Sequence, residues 1–162
     1  GYAAQTWSNA PNERCIQISW MSGGRYPEMP FNQQMSFPVE LSLRGSTDNW
    51  TLCRWPVKEI ELITASLDVS VSASIEKEAW PVPVAGELFD MTFELSAEIG
   101  SQVVMTIRGV PMTFDFEQGT VKFRDCEVPM TGTGLLSVRL LIDRTSVELF
   151  LDGGKVSASF CY

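Results

Sequence analysis

The segment Phe37–Leu43 places Phe37, Val39, Leu41 and Leu43 two residues apart, with Pro38, Glu40 and Ser42 between them. Such alternation is the signature of a strand with one buried face. Just upstream, the stretch from Tyr26 carries Pro27 and Pro30, with Asn32, Gln33 and Gln34 before the strand. A proline inside a helix removes a backbone hydrogen bond and clashes with the preceding turn, so this stretch is predicted as an extended loop between two strands. A long polar loop between strands is a common place for a binding surface.

The same period recurs along the chain. Tyr2–Trp7 and Cys15–Trp20 are predicted as two antiparallel strands joined by the turn-rich Ser8–Glu13. Ser36–Leu43 follows, then a turn at Gly45–Asn49, then Trp50–Trp55. Four short strands joined in sequence make an antiparallel meander with the shape of a propeller blade. Glu59–Ile63 is predicted as a turn of helix leading out of it, Leu67–Val71 as a strand, and Ala79–Gly86 as a proline-bearing loop.

From Glu87 onward strands are predicted at Leu88–Ile99, Val103–Arg108, Val110–Phe116, Thr120–Arg124, Leu135–Asp143, Val147–Leu151 and Val156–Phe160. Asp152-Gly153-Gly154 is predicted as a tight hairpin turn whose glycines take positive φ. No amphipathic stretch of helical period interrupts the pattern. The prediction is an all-β chain: a blade-like meander over 1–58, a linker with a first sandwich strand over 59–86, and a β-sandwich over 87–162.

Composition narrows the function. The 162 residues carry a net charge of -8, which disfavours nucleic acid and anionic membrane as partners. The chain has no histidine, so a Ser-His-Asp triad, a histidine-ligated zinc site and a histidine base are excluded. Its four cysteines include no C-x-x-C pair, and no cofactor or metal is expected. One bridge in each half, Cys15–Cys53 and Cys126–Cys161, stays open beside four buried thiols acting as small apolar residues. Met29, Met35, Met91, Met105, Met112 and Met130 fall at strand spacing and are predicted as core filler.

Tyr2-Ala3-Ala4-Gln5-Thr6-Trp7, Arg14–Met21, Pro30–Met35, Phe37–Leu41 and Pro56–Glu61 together resemble the last blade of the catalytic propeller in glycoside hydrolase family 32, which holds invertases, levanases and inulinases. Ile142–Gly154 resembles that family's C-terminal β-sandwich. The resemblance implies a C-terminal part of a β-fructan or sucrose hydrolase, retaining in mechanism, needing no cofactor and located in a periplasm, at a cell surface or outside the cell. Gly1-Tyr2 starts within a strand and Phe160-Cys161-Tyr162 still reads as one, so a fragment is expected, with Gly1 a cloning remnant. The remaining blades of a parent chain would be its first partners, and without them the meander is expected to expose apolar surface or to pair with another copy.

A glycosidase of this kind needs two carboxyl groups flanking the scissile bond. In the family these lie in W-M-N-D-P-N-G, R-D-P and E-C contexts. Here Trp20-Met21 runs into Ser22-Gly23-Gly24, Arg124-Asp125 is followed by Cys126, and Cys126-Glu127 reverses the last motif. This chain alone is therefore expected to lack hydrolase activity.

The candidate sugar-contacting residues are Tyr2, Gln5, Trp7, Arg25, Tyr26, Asn32 and Gln33, with Gln34 beside them. Aromatic faces stack on sugar rings and amides bond hydroxyls, which suits a fructan or another carbohydrate. Trp20 and Phe37, set among apolar neighbours, are predicted as blade core. Asp143, Arg144, Thr145, Ser146 and Glu148 form the most recognisable predicted surface of the sandwich half. Two other readings stay open: a free-standing carbohydrate-binding sandwich, and a structural domain that associates through its blade.

Overall fold

The computed structural model describes residues 2–21, 29–64, 73–75, 79–132 and 134–162. The chain is all-β. The predicted strand at Leu67–Val71 lies outside the described residues.

Strands β1 (Tyr2–Thr6), β2 (Cys15–Met21), β3 (Gln34–Met35), β4 (Val39–Ser46) and β5 (Asn49–Pro56) form one antiparallel sheet in the order β1-β2-β4-β5, with β3 also on β2. This is the blade-like meander. β4 starts three residues later than the alternation from Ser36 suggests. Pro38 has no N–H for a ladder, and the Phe37 N–H is taken by Glu148 instead. A short 3-10 turn at Lys58–Leu62 follows, buried only at Ile60.

The second half begins with β6 (Phe89–Leu95), then β7 (Gln102–Ile107), β8 (Val110–Asp115), β9 (Thr120–Phe123), β10 (Cys126–Pro129), β11 (Leu136–Ile142), β12 (Ser146–Leu151) and β13 (Val156–Cys161). They make two four-stranded sheets, β10-β9-β8-β7 and β13-β12-β11-β6. The predicted Leu88–Ile99 strand is shorter than its alternation, because the chain turns at Ile99-Gly100 and leaves Leu88 and Ile99 exposed. β10 was not predicted. It forms because Arg124, at φ 53, closes a tight turn that returns Cys126 opposite Phe123.

The two sheets of the second half close on one core. Met112, Phe114, Val121 and Phe123 of one meet Val138, Leu140, Val147 and Leu149 of the other. On β11 and β12 the alternate residues, Leu141 and Phe150, join Val39, Val57 and Ile60 in a second cluster, with Phe37, Leu41 and Trp55 packed against it. The β13-β12-β11-β6 sheet is thus the middle of three layers. A strand covered on both faces loses its polar side, and all six residues of β12 are buried.

This layering corrects several expectations. Thr145, Ser146 and Glu148 are buried rather than surface groups, because the blade-like sheet covers the face they project from. The Arg144 guanidinium does reach solvent, where it donates to Glu87 at 2.9 Å, while its backbone N–H donates to Asp143 at 2.6 Å. Met112 is core, but Met35 is exposed on the two-residue β3. No disulfide joins Cys15, Cys53, Cys126 or Cys161. Cys15 sits opposite Leu41 and Cys53 opposite Ser42, so they occupy opposite faces with β4 between them. Two strand spacings are about 9.6 Å, beyond the reach of a disulfide. Cys126 is exposed on the edge strand β10, while Cys161 ends β13 in the other sheet. The buried-thiol expectation holds for Cys53 alone; Cys15 and Cys126 are exposed.

Candidate carbohydrate-facing surface

All of β1 is exposed, as an edge strand with nothing beyond it among the described residues. Tyr2 stands opposite Trp20, their rings in a T-shaped contact 5.7 Å apart. Trp20 in turn stands opposite Met35, so Tyr2, Trp20 and Met35 form a row across three strands. Trp20 is half-buried, and its Nε1 is buried without a hydrogen-bond partner among the described residues. Asn32 and Gln33 are exposed just before β3, so they lie at the same end of the sheet as Tyr2. Gln34 is more enclosed. Its Nε2 donates to the Met21 sulfur at 3.6 Å, and its Oε1 accepts from the Thr145 hydroxyl. Arg25 and Tyr26 lie outside the described residues.

Gln5 and Trp7 belong to the other end. Gln5 faces Ile18, and the Trp7 N–H donates to the Ile16 carbonyl at 2.9 Å. At about 3.3 Å per residue, Trp7 is roughly 16 Å along the strand from Tyr2. Between the two ends the register shifts, and Ala3 takes φ 49, the mark of a bulge. The predicted set therefore divides into two places. Trp7, half exposed, walls an open apolar groove of about 380 Å³ with Ala10, Pro11, Ile16, Pro38 and Val57. Glu59 sits at its rim, clamped by two Arg14 hydrogen bonds of 3.1 and 2.7 Å that hold its carboxyl down to about 2.

The polar centre of the molecule is one that sequence reasoning placed at the surface. The Glu148 carboxylate accepts the Phe37 N–H at 2.6 Å and the Ser159 hydroxyl at 3.1 Å. Burial pushes its pKa up to about 7, against the lowering effect of those two donors. It borders a cleft of about 340 Å³ between the blade-like sheet and the middle sheet, lined also by Gln17, Ser19, Ser36, Arg54 and Ser157. The available signal was the run Ser146–Leu151, where a lone glutamate stands among apolar residues on both faces. Nearby, Arg139 grips Asp90 through bonds of 2.9 and 2.8 Å and lies 5.4 Å from the Trp55 ring centre.

Arg124, Asp125, Cys126 and Glu127 are all exposed around the β9–β10 turn. Among the described residues no cluster of three or more acidic, cysteine or histidine side chains is set to hold a metal, and no helix is long and apolar enough to cross a membrane.

No family profile matches the chain. Comparison with curated proteins finds a levanase from Bacillus subtilis (strain 168), 25% identical over 186 residues that cover 95% of this chain and 28% of the levanase. Among solved structures, an exo-inulinase from Aspergillus awamori matches with a TM-score of 0.75 at 19% identity, over 99% of this chain and 37% of its own. A sucrose-6-phosphate hydrolase from Lactobacillus gasseri matches with a TM-score of 0.70 at 18% identity, over 99% of this chain and 36% of its own. The chain thus spans between a quarter and two fifths of these proteins while nearly all of it is matched. The likeness to family 32 fructosidases first read from the blade and sandwich motifs holds in sequence and in fold.

Proposed function

We propose that this chain is the non-catalytic C-terminal portion of a secreted β-fructan or sucrose hydrolase, of the levanase or β-fructofuranosidase type. It carries the last blade of a catalytic propeller and the sandwich that braces it. The observation that supports this reading most is the match of 95% of the chain to 28% of a levanase. The parent reaction would be retaining hydrolysis of a fructosyl bond by two carboxyl groups supplied from other blades. The joint where Glu148 accepts from Phe37 and Arg139 lies over Trp55 fits a bracing role, because these contacts couple the blade-like sheet to the middle sheet.

The exposed end of the meander, with Tyr2, Asn32 and Gln33, is where this portion would meet fructan. Trp7 and Gln5 would serve a second contact farther along β1. A calorimetric titration with levan and inulin oligosaccharides, run beside an assay for free fructose, tests both parts. Binding in the millimolar range without release is expected, and Asn32→Ala is expected to weaken it without lowering stability. Release of fructose by this chain would overturn the non-catalytic reading.

A further inference from the structure

The cleft between the blade-like sheet and the middle sheet has a lining that the fold does not fully use. Ser19 and Ser36 engage each other, the Ser19 N–H donating to the Ser36 hydroxyl at 3.0 Å with the two hydroxyls 3.3 Å apart. Glu148 is occupied by Phe37 and Ser159. Arg54 donates only from Nε, to Gln17 at a long 3.4 Å. Its two Nη groups and the Ser157 hydroxyl have no hydrogen-bond partner among the described residues. All of these groups border the same space of about 340 Å³.

That volume lies at the small end of ligand sites, and it suits one or two sugar-sized rings. The charge in the lining is one guanidinium and one buried carboxyl. An anion bound by Arg54 would face Glu148, and a cation bound by Glu148 would face Arg54. A neutral molecule rich in hydroxyls satisfies both, because each hydroxyl donates and accepts. No aromatic platform is open in the cleft, since Phe150 is 1% exposed. Recognition would therefore rest on hydrogen bonds.

We propose that this inter-sheet cleft is a binding site for a small neutral polyol, a single sugar or a disaccharide, held by Arg54, Gln17, Ser157 and Ser159. The inference stands on the lining chemistry and does not need the fructan-hydrolase reading. The test is an NMR titration of isotopically labelled 162-residue chain with fructose, sucrose, glycerol and, separately, sodium sulfate.

Saturable shifts at Gln17, Arg54, Ser157 and Ser159 with fructose or sucrose, at millimolar affinity, are expected. Arg54→Met is expected to weaken binding at least tenfold. Ser157→Val, on β13 directly opposite Phe150, is expected to weaken it several-fold and carries the test if the arginine variant unfolds. No shifts from the sugars or glycerol, a response to sulfate alone, or unchanged binding in a folded Ser157→Val variant overturns the proposal. Shifts confined to Tyr2, Asn32 and Gln33 also overturn it while leaving the fructan-facing surface standing.

Discussion

Gly154 lies so close to the backbone of Arg54 that a Cβ on the glycine would sit 2.0 Å from the Arg54 carbonyl oxygen. The glycine also takes φ +89, a conformation that side chains resist. The β12–β13 hairpin thus presses its bare backbone onto β5, a strand about a hundred residues earlier in the chain. Gly154→Ala is expected to cost at least about 2 kcal/mol, because the obstruction is backbone and cannot rotate away. Gly119→Ala is the comparison. Its φ is +66, but nothing lies within 4 Å, so only the conformational strain of about 1 kcal/mol remains. Urea denaturation of both variants checks the pair, and equal losses would show that the Gly154 contact contributes nothing.

Glu148 sets a dependence on pH. Its carboxyl titrates near 4.5 when solvated and near 7 when folded, so the folded state binds the proton more tightly. The stability it contributes is therefore fully present below about pH 4.5 and is lost as pH rises through 7. Glu148→Gln keeps an acceptor for the Phe37 N–H and reverses the Ser159 bond, its amide now donating to the hydroxyl oxygen, but cannot ionise. The difference in unfolding free energy between wild type and this variant is expected to move against the wild type from pH 4.5 to 8. A difference that stays flat over that range would refute the assignment.

The same site can be probed by deletion. Glu148→Ala removes both acceptors and leaves the part-buried Phe37 N–H without its partner, an expected loss of about 1–3 kcal/mol beyond the lost packing. The variant should be less stable than Glu148→Gln at every pH. If the alanine variant matches the glutamine one, the Phe37 bond is not holding the sheets together.

Arg139 and Asp90 form an ion pair whose side chains are 7% and 15% exposed. Removing one charge leaves the other desolvated, so Arg139→Met is expected to lower stability by about 3 kcal/mol. Pairing it with Asp90→Leu is expected to recover much of that loss, since no charge then remains buried. Denaturation of the two single variants and the double variant measures the coupling, and purely additive effects would contradict it.

The meander leaves Leu43, Trp50 and Leu52 exposed at its far end, with Leu43 directly opposite Leu52. An exposed apolar patch of this kind favours self-association. Sedimentation is expected to show a mass that rises with concentration and falls back to that of one chain in Leu43→Glu. A single-chain mass for the wild type at every concentration would count against the patch as a contact surface.

Much of the fold was legible because a strand's period is local. Val39-Glu40-Leu41-Ser42-Leu43 and Phe89–Leu95 declare strands through residues two apart, and both are strands. β10 escaped notice because four residues ending in a proline carry almost no period. The candidate surface was legible in part. Tyr2, Asn32 and Gln33 do share one end of the sheet, but Trp7 and Gln5 do not join them, because positions on one strand separate by over 3 Å per residue.

The sequence by itself determined that the chain is all-β, where most of its strands lie, the Asp152–Gly154 turn, and the lack of any histidine chemistry. Only the tertiary structure decided which faces are covered. Alternation distinguishes the two faces of β12 but does not say what lies against either. The second face is covered by residues 111 positions away, through contacts such as Glu148 with Phe37. Burial, the raised pKa of Glu148 and the cleft beside it all come from that long-range packing, which no local pattern encodes.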